Sequence, residues 1–92
     1  MANPTYSIII PVYNEEDIIE SLLMDICNNM TQLGDAYEIL VVDDGSNDRT
    51  WEVLNSASER YPSVMAYRLS RNFGHQAAFY AGLTKAQGKA VG

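Results

Sequence analysis

The feature that most constrains this chain is its alternation of short, β-branched apolar runs with segments of helical period. Tyr6 to Val12 and Tyr37 to Val42 are nearly uninterrupted apolar runs. Runs of that kind suit strands covered on both faces, as in parallel sheets. Pro11 has no N–H for a ladder, so the first strand should end there. Ile18, Leu22, Ile26, Met30 and Leu33 then recur at helical spacing, with Ile19 and Leu23 widening the stripe. Asn14 is the expected N-cap of this helix, Glu15, Glu16 and Asp17 place negative charge on its first turn, and Gly34 closes it. Trp51, Leu54, Ala57 and Tyr61 mark a second helix, stopped by Pro62. Val64 to Leu69 alternates more, with Arg68 on one face, and reads as a third strand nearer a sheet edge. Gly74 precedes a third helix carrying Phe79, Leu83 and Ala86 and ended by Gly88, in which Ala78 and Gly82 allow a close approach to the sheet. Ala90-Val91-Gly92 begins a fourth strand.

The fold class is therefore α/β, a Rossmann-like parallel sheet of three strands plus the start of a fourth, with three helices. Ligands of such sheets bind beyond the carboxyl ends of the strands. The residues to inspect are then Val12 to Glu16, Val42 to Ser46 and Leu69 to His75.

Charge supports a ligand of mixed chemistry. The net charge is −6, from 6 Lys and Arg against 12 Asp and Glu. Residues 1–48 hold ten of the acids and no Lys or Arg, whereas all six basic residues lie in 49–92. An acidic chain without a basic cluster is not built to neutralise nucleic-acid phosphates. The single cysteine, Cys27, excludes an internal disulfide and reads as a buried thiol on a helix. No apolar run approaches the roughly 18 residues of a membrane span, and the first residues lack the charged start of a signal peptide, so a cytoplasmic location is expected.

Each of the three loops has a chemical reading. Pro11, Tyr13 and Glu15 offer a fixed strand exit, an aromatic face for stacking and a carboxylate for hydroxyls, which suits a nucleoside. The same residues also serve as packing and a helix cap. Asp43-Asp44-Gly45-Ser46 puts adjacent carboxylates at the end of a buried strand. Neighbouring strand residues point to opposite faces, so one aspartate can meet a ligand while the other organises the loop or caps the second helix. Arg71, Asn72 and Gly74 supply a cation, an amide and a turn at a helix start, a place that favours an anion or a base carbonyl. His75 beside them reads as structural.

Two other α/β chemistries fit less well. No G-x-G-x-x-G follows a strand, as a dinucleotide fold requires. A phospho-acceptor domain wants a spaced carboxylate partner and a lysine near the aspartates, but Lys85 and Lys89 lie after the third helix has begun.

Together, Ser7 to Glu16, Glu38 to Thr50, and Ser70 to Ala78 with Ala81-Gly82-Leu83 resemble the opening of a family 2 glycosyltransferase with the GT-A fold. The third segment is similar to the polyprenyl-phosphate sugar transferases, the branch of dolichyl-phosphate mannose synthase and bactoprenol glucosyltransferases. The resemblance covers nearly the whole chain. It implies that residues 1–92 are the N-terminal nucleotide-sugar-binding portion of a GT-A domain. It also implies that Pro11, Tyr13, Glu15, Val42 and Asp44, with Asp43 beside them, hold the nucleoside of a UDP- or GDP-sugar. Arg71, Asn72 and Gly74 match a loop closing over the base.

Members of this branch transfer a hexose to a lipid phosphate at the cytoplasmic membrane face, using Mg²⁺ or Mn²⁺. The family's Asp-x-Asp metal motif should follow the fourth strand, and this sequence stops as that strand begins. The resemblance therefore implies a chain without metal ligands or catalytic residues, inactive by itself. It further implies a first strand whose second edge lacks its neighbour, inviting self-association. The alternative is a non-catalytic nucleotide-binding or assembly module, complete at this length.

Overall fold

The computed structural model describes residues 4–34 and 36–91. Seven elements follow in order: β1 (Tyr6–Val12), α1 (Ile19–Leu33), β2 (Tyr37–Asp43), α2 (Thr50–Arg60), β3 (Val64–Arg68), α3 (His75–Leu83) and β4 (Lys89–Val91). The strands form one sheet in the order β3-β2-β1-β4, and every pairing is parallel. The α/β fold read from the sequence is the fold observed.

The apolar runs become the two central strands, where β2 is covered on both faces and β1 is buried at Ile9 and Val12 and partly buried at Ile8 and Ile10. On one face, Val12, Ile39, Val41 and Val64 pack with Ile19, Leu23 and Cys27 of α1 and Leu54 and Ala57 of α2. On the other, α3 lies against Ile9 and Val42. Its approach is close because Gly82 has no side chain: a Cβ there would sit 2.5 Å from Ile9 Cγ2. Ile9, Ile39, Leu40 and Val41 are buried completely or almost so. Each such side chain contributes about 1.5–3 kcal/mol of transfer free energy.

Several expectations need correction. β1 runs through Pro11 to Val12, because the proline's missing N–H interrupts one ladder bond and not the strand. α1 starts at Ile19, with Ile18 as an uncapped N-cap, because Asn14 is occupied elsewhere. The buried stripe of α1 is Ile19, Leu23 and Cys27, one position round from the expected centre; Ile18 and Leu33 are exposed. α3 ends at Leu83, so Ala86 and Gly88 lie in the connection to β4.

The second edge of β1 is not bare. β4 pairs with it at Tyr6, Ser7 and Ile8, covering its first half. Gly92, expected in that strand, lies outside the described residues. Among the described residues no helix is long and apolar enough to cross a membrane.

Candidate functional site

All four strands point their carboxyl ends to one rim, and three loops meet there. The first two loops are stitched together by side chains. Asn14 adopts a left-handed conformation, φ 51°. From it, the Asn14 amide donates to Ser46 Oγ at 2.8 Å and its Oδ1 accepts the Asn47 amide at 2.8 Å. The Glu15 amide donates to Thr50 Oγ1 at 2.8 Å, and Asn47 Nδ2 donates to the Tyr13 hydroxyl at 3.3 Å. A residue so committed cannot also cap α1, which explains the later helix start.

The adjacent aspartates divide their work by strand alternation, as expected. Asp43 faces the α1/α2 layer and is fully buried. Its Oδ1 accepts the Ser46 amide at 3.1 Å and the Ser46 hydroxyl at 2.5 Å. Among the described residues its Oδ2 has no hydrogen-bond partner, and it lies 3.6 Å from Arg68 Nε. The sheet register causes that proximity, because Arg68 is the β3 partner of Asp43. The Arg68 guanidinium also lies 5.8 Å from the centre of the Trp51 ring.

Asp44 turns to the α3 side and is 1% exposed. Its Oδ1 accepts the Phe73 amide at 2.8 Å, and its Oδ2 accepts the Gly74 amide at 3.0 Å and Asn72 Nδ2 at 3.3 Å. The carboxylate thus ties down the segment leading into α3, at the end of the helix whose dipole favours negative charge.

Gly45 completes the junction. Its φ is 69°, and a Cβ on it would collide with the backbone of Arg71 and Asn72. Only glycine lets the third loop lie directly on the second.

The loops enclose a cleft of about 640 Å³, lined by Tyr13, Gly45, Ser46, Asn47, Arg68, Leu69, Ser70, Arg71 and Asn72. That volume lies within the roughly 300–1,000 Å³ typical of small-molecule sites. Its chemistry is a phenol, hydroxyls, amides and two guanidinium groups, of which Arg71 stands 4.9 Å from the centre of the Phe73 ring. Below the cleft, Asp48 anchors the start of α2. Desolvation opposes its ionisation, but hydrogen bonds from the Thr50 hydroxyl and amide and the Glu16 amide outweigh it. They hold its carboxyl below the usual carboxylate range.

Of the nine candidate residues, Tyr13, Arg71 and Asn72 line the cleft. Asp43 stands behind Arg68, and Asp44 and Gly74 form the clasp beneath the third loop. Val42 is fully buried in the core, Pro11 is half-buried within β1, and Glu15 is half-buried ahead of α1. Gly45, Ser46, Leu69 and Ser70 lie in loops the sequence marks out but are not among its candidate site residues, whereas Asn47 and Arg68 lie outside those loops and were missed. Arg68 had a signal, since it is the one cation in an otherwise apolar third strand. Its role needs the register to become visible.

Comparison with known proteins agrees with this arrangement. Residues 7–92 match the family described as Glycosyl transferase family 2. The chain is 46% identical over 86 residues to an uncharacterized glycosyltransferase, YkcC, of Bacillus subtilis (strain 168), covering 94% of this chain and 27% of that protein. It is equally identical over 86 residues to the undecaprenyl-phosphate 4-deoxy-4-formamido-L-arabinose transferase of Pseudomonas aeruginosa, covering 92% of this chain and 25% of the relative. Among solved structures, the mannosyltransferase PcManGT of Pyrobaculum calidifontis, in complex with GDP-Man and Mn²⁺, superimposes with a TM-score of 0.76 at 25% identity. That match covers 94% of this chain and 25% of the other. TarS of S. aureus in complex with UDP gives 0.75 at 26% identity, covering 95% and 26%. The chain thus spans about a quarter of the length of the relatives it matches. With the parallel sheet and its three-loop rim, these matches place the fold among the GT-A glycosyltransferases, and the chain belongs to glycosyl transferase family 2.

Proposed function

We propose that this chain binds the nucleotide of a UDP- or GDP-sugar, as the N-terminal portion of a transferase passing a hexose to a polyprenyl or dolichyl phosphate. The observation that carries the reading is the cleft. Its Tyr13 ring offers a stacking face, its hydroxyls and amides suit ribose and base edges, and Arg71 offers a cation to base carbonyls or phosphate. The relatives support the lipid phosphate and the nucleotide: one is named for transfer to undecaprenyl phosphate, and the solved neighbours hold GDP-Man or UDP. The sugar in the first name is a pentose, so the hexose draws its support from the GDP-Man neighbour. The whole enzyme would then act at the cytoplasmic face of a membrane, where its lipid acceptor lies.

A divalent ion fits these residues poorly. Among the described residues, no three His, Cys, Asp or Glu side chains converge as a metal site. Asp43 Oδ1 is held by Ser46 and its Oδ2 faces the Arg68 cation, which disfavours a second cation there, while both Asp44 oxygens are held by the third loop. No chemical step through Mg²⁺ or Mn²⁺ is assigned to these residues, and inactivity of the 92-residue chain alone is part of the proposal.

Titration of the ¹⁵N-labelled chain with UDP and GDP tests the binding half. Shifts should concentrate at Tyr13, Ser46, Asn47, Arg71 and Asn72, with free phosphate as the control. Silence at these residues with both nucleotides would remove the proposal. Release of UDP or GDP from its sugar above the protein-free rate would overturn the stated inactivity.

A further inference from the structure

A buried polar cluster lies at the opposite rim of the sheet from the cleft. Glu38, the second residue of β2, is 4% exposed, and its register partner on β1, Ser7, is fully buried. Ser7 Oγ donates to Glu38 Oε2 at 2.6 Å. The same Oε2 accepts the Gln87 amide at 2.7 Å, and Ser7 Oγ in turn accepts the Gly88 amide at 2.7 Å. The next amide, of Lys89, donates to Thr5 O at 3.0 Å and opens β4. A carboxylate buried inside an apolar run is costly unless its bonds are made; one of its donors here, the Gln87 amide, comes from the connection between α3 and β4, and the Gly88 amide of the same connection bonds Ser7.

We propose that Glu38 and Ser7 form a latch that fixes where β4 joins β1. Without it, the connection after Leu83 contains no regular element to set the register, and among the described residues β4 pairs with β1 at three positions. The latch reaches across the sheet, from β2 over β1 to the neighbour beyond. Because the strands are parallel, the carboxyl end of β4 points to the rim that bears the cleft. Glu38 and Ser7 are therefore positioning residues, acting about 16 Å from Asp43 at the strand rise. The inference does not depend on the nucleotide reading.

Amide hydrogen exchange on the full 92-residue chain tests it, comparing Lys89 with Ile39, whose amide bonds Ser63 O between β2 and β3. Glu38→Ala should speed exchange at Lys89 by about tenfold or more, as expected for one lost buried hydrogen-bonding group, and leave Ile39 nearly unchanged. Glu38→Gln keeps an accepting oxygen and should restore most of the protection. Ser7→Ala, the milder change, should act in the same direction as Glu38→Ala and carries the test if that variant does not fold. Unchanged exchange at Lys89 in the folded variants would overturn the latch. So would equal acceleration at Lys89 and Ile39, or a failure of glutamine to protect better than alanine.

Discussion

The Asp44 carboxylate accepts the Gly74 amide at 3.0 Å, so one side chain joins the end of β2 to the start of α3. With the Phe73 and Asn72 bonds, it fixes the third loop over Gly45. Asp44 therefore shapes the cleft from beneath, whether or not it touches a ligand.

Replacing Asp44 by Ala should release that loop. Charge-assisted hydrogen bonds are worth about 1.5–3 kcal/mol, so UDP or GDP binding should weaken roughly ten- to a hundredfold. Titration calorimetry or NMR reads the change. An unaltered affinity would separate Asp44 from the site.

Gly45→Ala should be as damaging to the cleft without removing any polar group. The added methyl meets the Arg71 and Asn72 backbone, and the left-handed φ adds strain. Amide shifts at Arg71 and Asn72 should change across the loop, whereas the β1–β2 ladder should keep its exchange protection. A loop spectrum identical to the parent's would contradict this.

Gly82→Ala tests the packing of α3. Ile9 is 1% exposed and cannot move aside freely, so the new methyl should cost about 1–3 kcal/mol by overpacking. Urea unfolding should show a lower midpoint at similar slope. A midpoint equal to the parent's would show that α3 shifts without penalty.

Asp48 sets an acid-side dependence. Its native pKa lies below the ordinary value of 3.8, so its stabilising contribution is complete above that value and is lost as pH falls through the native pKa. Asp48→Asn should flatten the stability profile below pH 3.8 and leave its neutral shape alone. Melts at several pH values decide it, and parallel profiles for the two proteins would exclude the role.

The free length of β1 leads to the last expectation. Among the described residues β4 pairs with Tyr6, Ser7 and Ile8, and the following residues of β1, Ile9 to Val12, are apolar. A sedimentation coefficient rising with concentration should follow from edge pairing. A monomer at all concentrations would count against it.

Much of the fold was legible because burial on both faces writes itself into composition. Ile8 to Ile10 and Ile39 to Val42 could hardly be anything but central strands. The close contact at Gly82 was legible too, since a small residue on a helix face has few other uses. The end of α3 was not, because Ala86 continues the apolar spacing although the chain has already left the helix. Asn14 misled for a different reason. Its side chain suits a helix cap, but Ser46 and Asn47 compete for its backbone and side chain, and they come from another strand's loop. The pairing of Arg68 with Asp43 depends on register between β2 and β3, which no local pattern encodes.

The stitches between the first two loops span 32, 33 and 35 residues of sequence. None of them can form until β1 and β2 lie side by side, since chain closure over such lengths needs the strand pairing to offset its entropy. The cleft consequently forms no earlier than the β1–β2 pairing, and chains without that pairing present no stitched rim. Ligand added during refolding should leave the rate of sheet formation unchanged and act only on the finished protein.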